Sequence, residues 1–125
     1  MSTRVLIVDD DLAFCQTLER GLSRRGFEVA CQQGGEQALM WLGEHEVDVV
    51  LTDLRMPAPS GLQVILETRT AGNEIPFILI TAFGDEDVRT ALSRVPNAFM
   101  LDKPFAPPAL LHCVASALGN RRPVS

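Results

Sequence analysis

Short runs of Val, Ile and Leu recur along the chain, at "RVLIV" (4–8), "FEVAC" (27–31), "VDVVLT" (47–52), "FILIT" (77–81) and "AFML" (98–101). Runs this short and this apolar predict strands of a sheet covered on both faces. The segments between them have helical spacing. Phe14, Leu18 and Leu22 repeat every four residues, and Gly26 stands where a helix stops. Ala38, Leu39 and Leu42 mark a second helix in "GEQALMWLGEH", and Leu62, Ile65 and Leu66 a third after "PAPSG". The fourth, "DEDVRTALSR", is more polar. In "APPALLHCVASALGNRR" prolines open a fifth helix, Leu111, Val114 and Leu118 form its apolar stripe, and Gly119 closes it. Strand and helix alternate throughout, which predicts βα units around a parallel sheet.

The length of 125 residues suits one domain, and 46% hydrophobic residues fill a single core. One unit over residues 1–125 is expected, with 119–125 as a tail or the start of a linker. A net charge of −5 gives no broad attraction to nucleic acid or to an anionic membrane surface. No apolar stretch approaches the roughly 20 residues of a membrane span, and the N-terminus runs into acids instead of a signal-peptide cleavage region. A cytoplasmic protein is expected. Cys15, Cys31 and Cys113 are odd in number and widely separated, so they read as small, partly buried apolar side chains. His45 and His112 lack a partner at ligand spacing and read as helix-face residues. Trp41 and the methionines are assigned to helix packing.

Chemistry collects where the strands end. Asp9 and Asp10 follow the first run, Asp53 the third, Thr81 ends the fourth, and Lys103 closely follows the fifth. In a parallel sheet these ends share one edge, where open α/β sheets bind their ligands. Crowded carboxylates raise one another's pKa values, a conflict that a divalent cation removes. Hard oxygen donors suit Mg²⁺, and Mg²⁺ suits phosphate. A carboxylate beside the metal can attack a phosphoryl group and become an aspartyl phosphate. Lys103 supplies a positive charge for one phosphoryl oxygen and Thr81 a hydroxyl donor for another. Asp11 reads as the start of the first helix.

The segments "VLIVDDD", "DVVLTDLRMPAPSGL", "ILITA" and "FMLDKPF" resemble the motifs of receiver domains from two-component response regulators, over nearly the whole chain. The resemblance implies an α/β fold, a (βα)5 flavodoxin-like three-layer sandwich with a parallel five-stranded sheet of order 2-1-3-4-5. It implies Asp53 as the phosphoacceptor, with Mg²⁺ bound by Asp10 directly, by Asp9 often through water, by Asp53 and by the backbone carbonyl of Arg55. Thr81 is then the switch hydroxyl, Lys103 the phosphate-binding lysine, and the Lys103-Pro104 bond cis. The implied partner is a histidine kinase or a histidine phosphotransfer protein, and the domain catalyses only its own phosphorylation and dephosphorylation. A homodimer through the face of the fourth helix, fifth strand and fifth helix is also implied, with no direct nucleic-acid binding.

Departures from the family pattern carry expectations too. The loop Met56-Pro57-Ala58-Pro59-Ser60-Gly61 keeps the turn proline and glycine but lacks the usual acid. Met100 stands where an aromatic ring is usual, with Phe99 beside it, so a looser link between Thr81 and the partner-binding face is expected. Arg55 and Phe83 are bulky enough to flank the phosphoryl group and hinder attack by water. Of the competing readings, a phosphatase of the haloacid dehalogenase type needs an acid two positions after its nucleophile, where this chain has Arg55. A degenerate, binding-only receiver conflicts with retention of all the site residues, and no glycine-rich phosphate loop follows any strand.

Overall fold

Each of the five apolar runs forms a strand in the computed structural model, which describes residues 2–82 and 85–121. They are β1 (Arg4–Val8), β2 (Glu28–Gln32), β3 (Val49–Asp53), β4 (Phe77–Ala82) and β5 (Ala98–Lys103). All pairings are parallel and the order is β2-β1-β3-β4-β5, the flavodoxin-like order expected. Two strands run past their apolar residues. Pairing of Asp53 with Ile80 extends β3, and pairing of Asp102 and Lys103 with Thr81 and Ala82 extends β5. Backbone hydrogen bonding thus continues into the polar residues and carries them to the carboxyl edge of the sheet.

Alternate residues of a strand face opposite sides, and the core divides accordingly. Val5, Ile7, Val49, Leu51, Ile78 and Ile80 meet helices α1 (Leu12–Ser23) and α5 (Pro107–Arg121) on one side. Leu6, Val8, Val50, Phe77 and Leu79 meet α2 (Gly35–Glu44), α3 (Gly61–Thr70) and α4 (Glu86–Leu92) on the other. Among the described residues no helix is long and apolar enough to cross a membrane.

The helical stripes differ in detail from the expected ones. In α1 the fully buried residues are Cys15, Leu18 and Leu22, with Phe14 only half-buried at the rim. The chain leaves α1 at Arg24, and Gly26 makes the following turn at a φ of 91°, which a side chain rarely adopts. In α3 the capping box of Ser60 and Gln63 places the helix start at Gly61, so the inward face is Gly61, Val64, Ile65 and Thr68. Leu66 consequently turns outward. Thr68 tolerates burial because its hydroxyl donates to the Val64 carbonyl at 2.8 Å. Helix α5 continues through Gly119 to Arg121 instead of closing there, and the remaining tail residues lie outside those described. Met40 is 70% exposed and takes no part in helix packing, whereas Met56 and Met100 do. Trp41 is half-buried and stacks on His45, with ring centroids 4.1 Å apart.

Candidate functional site

The first turn of α1 fixes the acids that precede it. Asp11 is the N-cap, its carboxylate accepting the Phe14 N–H at 3.2 Å, as read from its place before the helix. Asp9, one residue past β1, accepts the Asp11 N–H on Oδ1 at 2.9 Å. Its other oxygen, Oδ2, is buried without a hydrogen-bond partner among the described residues. Asp9 is 2% exposed. Burial pushes its carboxyl up to about 6, the nearby charges of Asp53 and Asp10 push the same way, and the Asp11 N–H and Lys103 oppose them.

Asp53 ends β3 in the middle of the sheet edge. One carboxylate oxygen from each of Asp9, Asp10 and Asp53 lies within 4.8 Å of the others, with Asp10 exposed and Asp53 between the two in burial. Lys103, brought to the same edge by the register of β5 on β4, donates to Asp53 Oδ1 at 3.2 Å. Its ammonium also lies 4.4 Å from the centroid of the Phe14 ring, which closes one side of the lysine's surroundings. Phe14 in turn meets Phe105 edge to face. An open groove of about 890 Å³ between α1 and α5, with Phe14, Leu18 and Leu110 in its wall, runs up to this lysine.

The loop after Asp53 forms without the family's acid. Its Ala58-Pro59 bond is cis, which the sequence reading did not anticipate, as is the expected Lys103-Pro104 bond. Gly61 closes the loop. Its N–H donates to the Leu54 carbonyl at 3.1 Å, and a Cβ here would collide with the Asp53 carbonyl oxygen. The glycine is needed for this close approach to the acceptor strand and has no positive φ.

Of the six expected site residues, the structure gathers Asp9, Asp10, Asp53 and Lys103 into one cluster. Thr81 is on the same edge and buried, but its hydroxyl donates to Asp102 Oδ1 at 3.1 Å. Arg55 follows Asp53 by two residues, and its guanidinium reaches across to the start of α4, where it pairs with Asp85 at 2.8 Å. Phe83, expected beside the phosphoryl group, lies outside the described residues. Sequence reasoning missed Asp102, Arg89 and Asp85. An acid directly before Lys103 was visible, but its partnership with Thr81 follows only from strand register. Arg89, on the weakly patterned fourth helix, donates to both Asp102 oxygens at 3.3 and 3.0 Å.

A divalent cation fits the acidic cluster. Three carboxylates offer hard oxygens, and the buried Oδ2 of Asp9 has no hydrogen-bond partner among the described residues. The three cysteines are free. Burial raises the thiol pKa of all three, Cys31 to about 12, which favours the protonated thiol over the thiolate.

The family model described as "Response regulator receiver domain" matches residues 5–115. A relative named response regulator MprA from Mycobacterium sp. (strain KMS) is 34% identical over 98% of this chain and 54% of its own length. The transcriptional regulatory protein PrrA of Mycobacterium tuberculosis (strain ATCC 25618 / H37Rv) is 36% identical over 96% of this chain and 52% of its own. The chain therefore spans about half the length of the curated relatives it matches. Among solved structures, a response regulator receiver domain protein from Clostridium thermocellum superposes with a TM-score of 0.87 at 25% identity, covering 95% of this chain and 96% of that one. Chemotaxis protein CheY4 of Vibrio cholerae gives 0.87 at 26% identity, over 94% of this chain and all of its own.

Proposed function

Because the chain belongs to the receiver domain family of two-component response regulators, we propose that Asp53 is the residue that accepts the phosphoryl group, delivered by a histidine kinase or a histidine phosphotransfer protein. The observation that carries this reading is the Lys103 ammonium at 3.2 Å from Asp53 Oδ1, facing an acidic cluster in which one buried oxygen lacks a partner among the described residues.

Asp9, Asp10 and Asp53, with the backbone carbonyl of Arg55 that the family resemblance adds, would hold Mg²⁺. When bound, the ion neutralises charge on the phosphoryl oxygens and lets the acids approach one another ionised. The remaining steps belong to the chain. A carboxylate oxygen of Asp53 attacks the phosphorus of a phosphohistidine; a P–O bond forms while the P–N bond breaks, and its electron pair returns to the imidazole nitrogen. Lys103, already paired with Asp53, transfers its ion pair to a phosphoryl oxygen. The Thr81 hydroxyl donates to another, which requires it to leave Asp102. Arg55, two residues after Asp53 and paired with Asp85 at the start of α4, is bulky enough to hinder approach of water, and its guanidinium has no basic atom to activate it.

The test is transfer of labelled phosphoryl from a phosphorylated histidine phosphotransfer protein. Label should reach the wild-type chain only with Mg²⁺ and should be lost in Asp53→Asn. Equal labelling of that variant would remove Asp53 from the role.

A further inference from the structure

We propose that Asp102 is a positioning residue for the switch: it holds the Thr81 hydroxyl away from the acceptor and, through Arg89, ties that hydroxyl to helix α4. The inference rests on the reading of Thr81 as the phosphoryl-binding hydroxyl. Three observations carry it. Thr81 lies directly opposite Asp102 in the β4–β5 ladder, and its buried hydroxyl donates to that carboxylate at 3.1 Å. Arg89 from α4 donates to both oxygens of the same carboxylate, so one side chain joins a strand end to a helix. Finally, α4 is the least anchored helix described, with seven residues and Leu92 its one fully buried residue.

Asp102 therefore biases two arrangements. In the one seen here its Oδ1 is shared between the Thr81 hydroxyl and Arg89, the latter at the longer of its two distances. When Thr81 turns to a phosphoryl oxygen it gives up a hydrogen bond to a charged acceptor, and that cost opposes activation. The oxygen it vacates then becomes wholly available to Arg89, which draws α4 toward the end of β5. Met100, on β5 at the position where the family resemblance implies an aromatic ring, is partly buried against the core cluster that includes Leu92 of α4. The polar chain Thr81–Asp102–Arg89 thus supplies a directional link to α4 that a flexible methionine does not.

The experiment measures beryllofluoride affinity in the presence of Mg²⁺ for wild type, Asp102→Ala, Thr81→Val and the double variant. Removing the competing acceptor should tighten beryllofluoride binding by about three- to tenfold. The gain should vanish in the Thr81→Val background, because it acts through that hydroxyl. An equal gain in both backgrounds, or none in either, overturns the role of Asp102 while leaving Thr81 in place. A Thr81→Val variant that binds beryllofluoride as tightly as wild type overturns the reading of Thr81 itself, and the inference with it. Asp102→Asn keeps the shape and a hydrogen-bond acceptor but breaks the ion pair, and it reads the second half of the proposal. The beryllofluoride-induced shifts of the Arg89–Leu92 amides should be lost in this variant, and their persistence at wild-type size would show that Arg89 does not transmit the change.

Discussion

Gly61→Ala places one methyl group against the backbone of the acceptor strand. The new Cβ would sit inside van der Waals distance of the Asp53 carbonyl oxygen, 3.0 Å from its carbonyl carbon and 2.9 Å from Leu79 Cδ1. The leucine methyl can rotate aside. The carbonyl cannot, because Asp53 is paired in the ladder with Ile80, so either β3 or the first turn of α3 must shift. Overpacking of this kind costs about 1–3 kcal/mol, which at about 4 °C per kcal/mol lowers Tm by roughly 4–12 °C. The functional cost should be larger. A displacement on the order of 1 Å at a reacting group reduces rate by about 10²-fold where positioning controls the chemistry, so phosphorylation by acetyl phosphate should slow by that order in the folded variant. Gly21→Ala is the control: nothing lies near a Cβ there, the residue is inside α1, and the change should stabilise by about 0.5–1 kcal/mol without affecting phosphorylation. Thermal unfolding and a time course with acetyl phosphate and Mg²⁺ read both effects. A Gly61→Ala protein with unchanged Tm and rate would refute the claim that this glycine sets the position of Asp53.

Three further outcomes are expected. Asp9→Asn removes a buried charge with an unpartnered oxygen, so in EDTA it should unfold at higher temperature, by about 1–2 kcal/mol of added stability, while losing the stabilisation that Mg²⁺ gives the wild type; a lower melting temperature in EDTA would contradict this. Burial keeps the thiols protonated, so iodoacetamide at pH 8 should modify the native protein far more slowly than the urea-unfolded chain. On the stability side, Cys31 favours the folded state fully below its ordinary value of 9.0 and loses that contribution as pH rises toward about 12, a decline that should be smaller in a Cys31→Ala variant, where only Cys15 and Cys113 add to it. Arg55→Ala should hasten loss of phosphate from the labelled protein; an unaltered decay would show that Arg55 does not shield the site.

The site was legible in the sequence wherever a residue's role depends on its place along one strand. Asp9, Asp53 and Lys103 stand at the ends of apolar runs, and parallel pairing alone brings such ends together. What needed the structure were relations between elements. The Thr81–Asp102 bond depends on the register of β4 against β5, and the Arg89 contact on how a short polar helix lies over the sheet. Helix faces were legible only in part. In α3 the apolar spacing of Leu62, Ile65 and Leu66 competes with the start fixed by the Ser60–Gln63 capping box, and the box decides which residues turn inward. In α1, Cys15 is small enough to be fully buried under the sheet edge, whereas the bulkier Phe14 remains at the rim beside Lys103.

The central claim is that Asp53 is the phosphoryl acceptor of a Mg²⁺-dependent site. Its most direct test is peptide mapping of the chain after acetyl phosphate treatment with and without Mg²⁺, the acyl phosphate being trapped by borohydride reduction. The account predicts one modified residue, Asp53, in the Mg²⁺ sample and none when EDTA replaces the metal. Modification at another residue, or equal modification of Asp53 in EDTA, would contradict it.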